Sequence, residues 1–254
     1  MFKKLKFLDL LLGMTEKEFK VRYKRTVFGF LWVLINPILQ MLVIGFVFRY
    51  FIKDPIPNYF LYLIVGLLVW NFFTLSFQKA TSSIVNERAL IKKANFPREV
   101  IPLSIILANF LNLLISFALL LPLLIYFRTL SVLSLIKLIP AVFVLLIFTS
   151  GISLLTSALN VKYRDVTFFV QAFSMVWFYI TPIIYTINFI PSSIMWIWRL
   201  NPMTSIIQLF QYTLVSAAPP GPAMLTENLL IIIAVTLMGI NVFRKESSNF
   251  DDWL

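Results

Sequence analysis

The chain contains no cysteine and no histidine, which removes disulfides, thiolate nucleophiles, imidazole metal ligands and the usual neutral-pH proton shuttle together. Charge is scarce too: 13% of the residues are Asp, Glu, Lys or Arg, against about 25% in ordinary globular proteins. The 11 acidic residues lie in loops, tails or the ends of apolar segments, and the only adjacent pair, Asp251 and Asp252, is in the C-terminal tail. Clustered carboxylates for metal-assisted hydrolysis or glycosyl transfer are therefore missing, and neither a metal site nor a catalytic set is expected. No G-x-x-x-x-G-K-[ST] loop is present to cradle a nucleotide. Nor does a titratable group sit in the middle of an apolar stretch, where ion-coupled transport needs one. If the chain takes part in transport against a gradient, another chain must supply the energy.

What is present is apolar. Of 254 residues, 60% are hydrophobic, 26 are phenylalanine, and the mean hydropathy is +0.89, which a water-soluble fold could not bury. A bilayer core of about 30 Å asks for roughly 20 apolar helical residues. Five stretches qualify: Phe28 to Tyr50, Tyr59 to Phe77, Val100 to Phe127, Val132 to Leu159 and Val166 to Ile187. A sixth, Leu225 to Phe243, is slightly short but uninterrupted after Glu227. The expected fold is all-α and integral to the membrane, one transmembrane domain over 1–254 with six spans.

Alternating sides along these spans places Arg49, Lys53, Arg128, Lys137 and Arg199 on one face and the other 17 of the 22 basic residues on the opposite one. Short loops rich in Lys and Arg stay in the cytoplasm, so both termini are expected there. The net charge of +11 is then read as orientation and contact with anionic lipid, not as nucleic-acid binding. Lys3, Lys4 and Lys6 are not followed by a clean apolar core and cleavage site, so the N-terminus reads as retained. Pro37, Pro102, Pro122, Pro140 and Pro182 fall inside the expected spans, each able to kink a helix.

Three segments do not simply span. In the arm 1–27, Thr15 to Glu18 fits a capping box starting an interfacial helix anchored by Phe19 and Tyr23, although a mere topology-setting charge cluster fits as well. In the loop Thr81 to Glu99, Asn86 is placed to cap a short helix whose Leu90, Ile91 and Ala94 make an apolar patch and which Pro97 ends. That patch suits either a cytoplasmic partner or lipid headgroups. The segment 188–224 carries two apolar runs, Ser193 to Leu200 and Thr204 to Val215, too short to cross and separated by Asn201 and Pro202. It reads as a re-entrant external lid or as an interfacial hairpin anchored by Trp196 and Trp198. Span six, 225–243, and a cytoplasmic tail, 244–254, complete the chain.

Five ordered blocks then carry a resemblance: RYKRTVFGFLWVLINPILQ (Arg22 to Gln40), ANFPREVIPLS (Ala94 to Ser104), NVKYRDVTFFVQ (Asn160 to Gln171), TPIIY (Thr181 to Tyr185) and NPMT (Asn201 to Thr204). They resemble the permease subunits of ABC-2 type polysaccharide exporters, which move O-antigen, capsule or teichoic acid, over about residues 10 to 243. The short arm and compact length look most like the O-antigen permease of Gram-negative bacteria. The resemblance implies a homodimer in the inner membrane, paired with two copies of a separate ATPase and exporting a polyprenyl-pyrophosphate-linked glycan. By the same resemblance, Asn86, Glu87, Arg88, Leu90, Ile91, Ala94 and Phe96 would form the coupling helix. Arg22, Lys24 and Arg25 would receive the lipid pyrophosphate, and Trp196, Trp198, Arg199, Asn201 and Pro202 would belong to an external gate. Trp32, Tyr62, Trp70, Phe73, Trp177, Tyr179 and Tyr185 offer flat faces on which sugars could stack in a channel, or lipid contacts and interfacial anchors. A small-amphiphile exporter of the same class is the nearest alternative. An ATP-independent secondary transporter or flippase stands further off.

Overall fold

A helix that is apolar on every side has no face to present to water, and the chain builds its interior around such a helix. The computed structural model describes residues 2–24, 31–49, 56–93, 96–129 and 131–253, and every regular element among them is helical. The order is α1 (Phe2–Tyr23), α2 (Trp32–Arg49), α3 (Tyr59–Asn86), α4 (Arg88–Lys93), α5 (Val100–Tyr126), α6 (Val132–Lys162) and α7 (Val166–Ile180). Two short 3-10 turns lead into α8 (Met195–Arg199), α9 (Pro202–Val215), α10 (Pro222–Ser247) and α11 (Phe250–Trp253).

Four helices among the described residues are long and apolar enough to cross a bilayer: α3, α5, α6 from Leu133, and α10. The apolar parts of α2 and α7, Leu34–Phe48 and Val166–Ile180, are shorter. Each of the six expected stretches contains a helix among the described residues, four of them at full spanning length.

Several boundaries differ from the sequence expectation. No helix begins at Thr15: α1 starts at Phe2, and the Thr15 hydroxyl donates to the Leu11 carbonyl at 2.7 Å inside it, so the capping box does not form. The second stretch does not end at Phe77, because α3 continues to Asn86 and at about 1.5 Å per residue outruns the bilayer core. Asn86 is consequently the last residue of α3 and caps nothing; its Nδ2 donates back to Ser82 Oγ at 3.2 Å. The fifth stretch stops at Ile180, not Ile187, because Pro182 cannot continue the helical hydrogen-bond pattern. Phe28 and the residues up to Phe30, and Tyr50, lie outside the described residues.

α3 is the hub, with α2, α5, α6, α7 and α9 packed round it. Its Leu63, Val65, Val69 and Phe73 are wholly buried. α6 and α10 form the closest helix pair. A Cβ on Gly239 would collide with the Gly151 carbonyl oxygen, and one on Gly151 would meet the Thr236 backbone. Small residues at a crossing let two backbones approach where lipid offers no hydrophobic drive for association. At the end where α1, α4 and α11 gather, a second core joins Leu11 and Met14 to Ile84, Ile91, Ile101, Val161, Phe243 and Phe250. There α11 folds back under the bundle, Phe250 edge-on to Phe243 at 5.4 Å and Trp253 beneath the Lys162 ammonium at 5.5 Å.

The α6–α10 crossing yields a prediction. Gly239→Val should drive the two helices apart and cost about 2 kcal/mol or more, read as a lower thermal midpoint in detergent. Gly13→Ala, at a position with nothing within 4 Å of the added carbon, should not lower it. Equal midpoints for Gly239→Val and the parent would contradict the close crossing.

Candidate functional site

Two regions hold most of the residues singled out in the sequence, and a third gathers Arg22 and Trp32 with amides that were not.

The first is the break after α7. Where the helix stops at Ile180 the chain runs on as Thr181 to Thr186 through buried surroundings, with Thr181, Pro182, Ile183 and Ile184 all buried. Carbonyls freed there cannot reach water and must find internal donors. The first turn of α3 supplies them: Tyr59 Oη donates to the Ile184 carbonyl at 3.0 Å, and Tyr62 Oη to the Tyr185 carbonyl at 3.1 Å. Asn201 closes the break from the other side. Its Oδ1 accepts from Trp177 Nε1 at 2.8 Å and from the Met203 amide at 3.0 Å, while its Nδ2 donates to Thr181 Oγ1 at 3.0 Å. One carboxamide therefore ends α7, caps α9 and holds them together, with Pro202 at the first helical position of α9. α9 itself is buried along nearly its whole length.

Around this break the expected channel aromatics divide. Tyr62, Trp70, Phe73 and Trp177 are buried, at 3%, 5%, 0% and 7% exposure. Trp177 stands edge-on to Phe73 at 5.2 Å and to Trp70 at 6.3 Å, and Phe73 stacks on Phe148 at 5.7 Å. Trp70, Phe73 and Trp177 thus pack ring against ring, while Tyr62 is buried beside the break with its hydroxyl on the Tyr185 carbonyl. Trp32 and Tyr179 are exposed, and Tyr185 is half-buried. Tyr185 Oη donates to the Tyr179 carbonyl at 2.8 Å and accepts from Trp198 Nε1 at 2.9 Å, which ties α8 to the end of α7. In α8 the Trp196 ring is exposed, and Arg199 forms an ion pair with Glu227 at the start of α10. That hydrogen bond and charge raise the Arg199 pKa above its ordinary value, so the guanidinium stays ionised.

The second region is the elbow between α3 and α5. Glu87 pairs with Lys17 of α1 at 2.9 Å, a half-exposed bridge that contributes little on its own. Ile91 is not part of an exposed stripe: it is 2% exposed and anchors α4 in the second core, with Leu90 packed partly beside it. Arg98 Nη1 donates to the Ile91 carbonyl at 3.0 Å, and the Arg98 guanidinium lies 5.8 Å from the Phe96 ring, which is itself half-buried. The face of α4 that remains exposed is Arg88, Ala89, Lys92 and Lys93, so it is basic where an apolar patch was expected. Ala94 lies outside the described residues.

The third region went unnoticed in the sequence. A recess of about 340 Å³ opens between α2, α3 and α5, with Arg22 and Trp32 in its lining. Its walls carry carboxamides: Asn36 and Gln40 from α2, Asn71 from α3, Asn109 and Asn112 from α5. Asn71 Nδ2 donates to Gln40 Oε1 at 3.2 Å, and Asn109 Nδ2 to Ser76 Oγ at 3.0 Å. Asn109 Oδ1 and Arg22 Nη2 are buried with no hydrogen-bond partner among the described residues. The legible signal was amides recurring inside apolar stretches, at 36 and 40 and again at 109 and 112. Of the expected pyrophosphate cluster, Arg22 reaches the recess, Lys24 is exposed just beyond α1, and Arg25 lies outside the described residues.

Residues 10–215 match the family described as ABC-2 type transporter. Along the chain, 251 residues are 36% identical to an O-antigen export system permease protein RfbA of Klebsiella pneumoniae, covering 97% of this chain and 95% of that protein. A second Klebsiella pneumoniae protein of the same name is 34% identical over the same coverage, and one from Myxococcus xanthus is 29% identical over 243 residues, 95% of this chain and 94% of its own length.

The Asn201 junction makes a prediction. Asn201→Leu leaves the Trp177 indole N–H and the Met203 amide without acceptors, at about 1–3 kcal/mol for each group left buried and unpaired. The thermal midpoint should fall clearly, and adding Trp177→Phe should restore part of the loss. A midpoint unchanged in the single variant would contradict the junction's role.

Proposed function

We propose, from the premise that this chain belongs to the ABC-2 type transporter family and is the permease subunit of an exporter, that its cargo is a polysaccharide on a polyprenyl-pyrophosphate carrier, most simply O-antigen. The observation that carries this reading is the collinear match, along almost the whole chain, to permeases named for O-antigen export. An ABC-2 permease implies an ABC transporter system with an ATPase partner, and the chain's own sequence offers no nucleotide loop. Capsule or teichoic acid export uses the same architecture with a different glycan.

In this reading all six apolar helices cross the inner membrane, α2 and α7 included, with both termini in the cytoplasm as the distribution of Lys and Arg requires. Two copies associate through faces that a single chain leaves apolar and exposed, such as Leu42, Val43 and Phe46 of α2 and Phe168, Phe169 and Val176 of α7. α1 lies along the cytoplasmic interface, its Leu8, Leu12 and Val21 turned outward towards lipid. Arg22, Lys24 and Arg25 meet the pyrophosphate of the incoming carrier. α8 and the start of α9 form the external gate, and the Arg199–Glu227 pair ties that gate to α10.

Coupling to the ATPase falls to α4. Its buried Ile91 fixes it to the bundle, so displacement of α4 is passed to α3 and α5, while Arg88, Ala89, Lys92 and Lys93 are left for the partner. A rigid attachment on one side and a charged face on the other are what a mechanical relay needs. Reversing that charge with Arg88→Glu and Lys92→Glu together should abolish assembly with the ATPase or uncouple its hydrolysis from export, at unchanged permease abundance. Normal export with normal substrate-stimulated hydrolysis would reject the relay.

A further inference from the structure

The recess between α2, α3 and α5 holds more hydrogen-bonding capacity than the fold uses. Carboxamides inside a membrane bundle often serve to join helices, and the Asn71–Gln40 and Asn109–Ser76 bonds do so here. Yet a carboxamide has two donors and an acceptor with two lone pairs, and joining helices leaves much of that capacity over. Asn109 is 2% exposed with its Oδ1 unpaired among the described residues, and an unpartnered buried acceptor is costly. That cost is recovered when a ligand brings a donor.

The chemistry of the walls narrows the ligand. Among the described residues no Asp or Glu lines the recess, so a cation finds no charge there, and amides set beside Leu68, Phe72, Leu75 and Leu113 suit a ligand with both polar and apolar faces. Hydroxyl groups that both donate and accept match carboxamides, and a phosphate matches Arg22 Nη2, buried and unpaired among the described residues. A volume of about 340 Å³ lies at the small end of ligand pockets, room for one sugar with its phosphate and not for a chain of them. We infer that this recess, within a single protomer, takes the phosphate-proximal sugar of the lipid-linked substrate. The inference rests on the proposed function above and adds to it a site at which the first sugar is recognised before the rest of the glycan passes.

The test uses the permease with its ATPase partner in lipid nanodiscs and two soluble probes, farnesyl diphosphate and farnesyl diphosphate carrying one glucose or N-acetylglucosamine. Two added hydrogen bonds at about 1 kcal/mol each favour the sugar-bearing probe by about thirtyfold. Asn36→Leu, on the exposed rim of the recess, should cut the advantage of the sugar-bearing probe by about fivefold while leaving the sugar-free affinity and the thermal midpoint unchanged. Equal affinities in the parent complex, or the full difference surviving in Asn36→Leu, overturn the inference. Displacement of the sugar-bearing probe by phosphatidylglycerol at equal concentration also overturns it, in favour of a phospholipid headgroup. If neither probe binds, the polyprenyl-pyrophosphate reading fails and takes this inference with it.

Discussion

Hydrocarbon supplies no hydrogen-bond partners, and this constraint governs the fold. Where the chain departs from a continuous helix after α7, another part of the same chain provides the missing group. The departure is Thr181 to Thr186, whose carbonyls are met by the hydroxyls of Tyr59 and Tyr62 and whose two flanking helices are clamped by Asn201. Pro182 makes the break unavoidable, and the tyrosines and the asparagine make it tolerable. Within continuous helices the same rule sends hydroxyls back to the preceding turn, as in Thr149 to the Leu145 carbonyl at 2.7 Å and Ser174 to the Val170 carbonyl at 2.6 Å.

Satisfying polar groups internally has a consequence for function. The interior round α3 becomes dense, with Trp70, Phe73, Phe148 and Trp177 locked ring against ring, and a packed interior transmits displacement instead of absorbing it. In the proposed function, movable or ligand-facing chemistry is left to the margins: α4 at one end, α8 at the other, the apolar faces of α2 and α7, and the amide recess at the side. An account in which α4 receives force and α8 yields to cargo uses the bundle as the stiff body between them.

Much of this was legible in the sequence because membrane helices announce themselves by length and apolarity alone. Each of the six apolar stretches holds a helix among the described residues, and the split at Asn201–Pro202 into two short helices follows from an N-cap next to a proline. What the sequence hid depends on neighbours. Thr15 and Glu18 have the spacing of a capping box, but apolar contacts of Leu11 and Met14 carry α1 straight through it. Asn86 looked like the start of a helix because a cap residue and the interior of a long helix differ only in whether the preceding turn is helical. The large aromatics were read as liners or anchors because composition cannot say whether a ring faces a cavity, lipid or another ring. The recess escaped because its amides come from three helices distant in sequence and assemble only when α2 packs across α3 and α5.

As an ABC-2 family permease the chain belongs to an ABC transporter system, and we propose that work on its cargo arrives from an ATPase through α4. The most direct measurement is translocation of a lipid-linked oligosaccharide in proteoliposomes, with the permease alone or with its ATPase, in the presence of ATP or of an imposed proton or sodium gradient. The account predicts accumulation only when permease, ATPase and ATP are all present. Uphill transport by the permease alone on an ion gradient would contradict it.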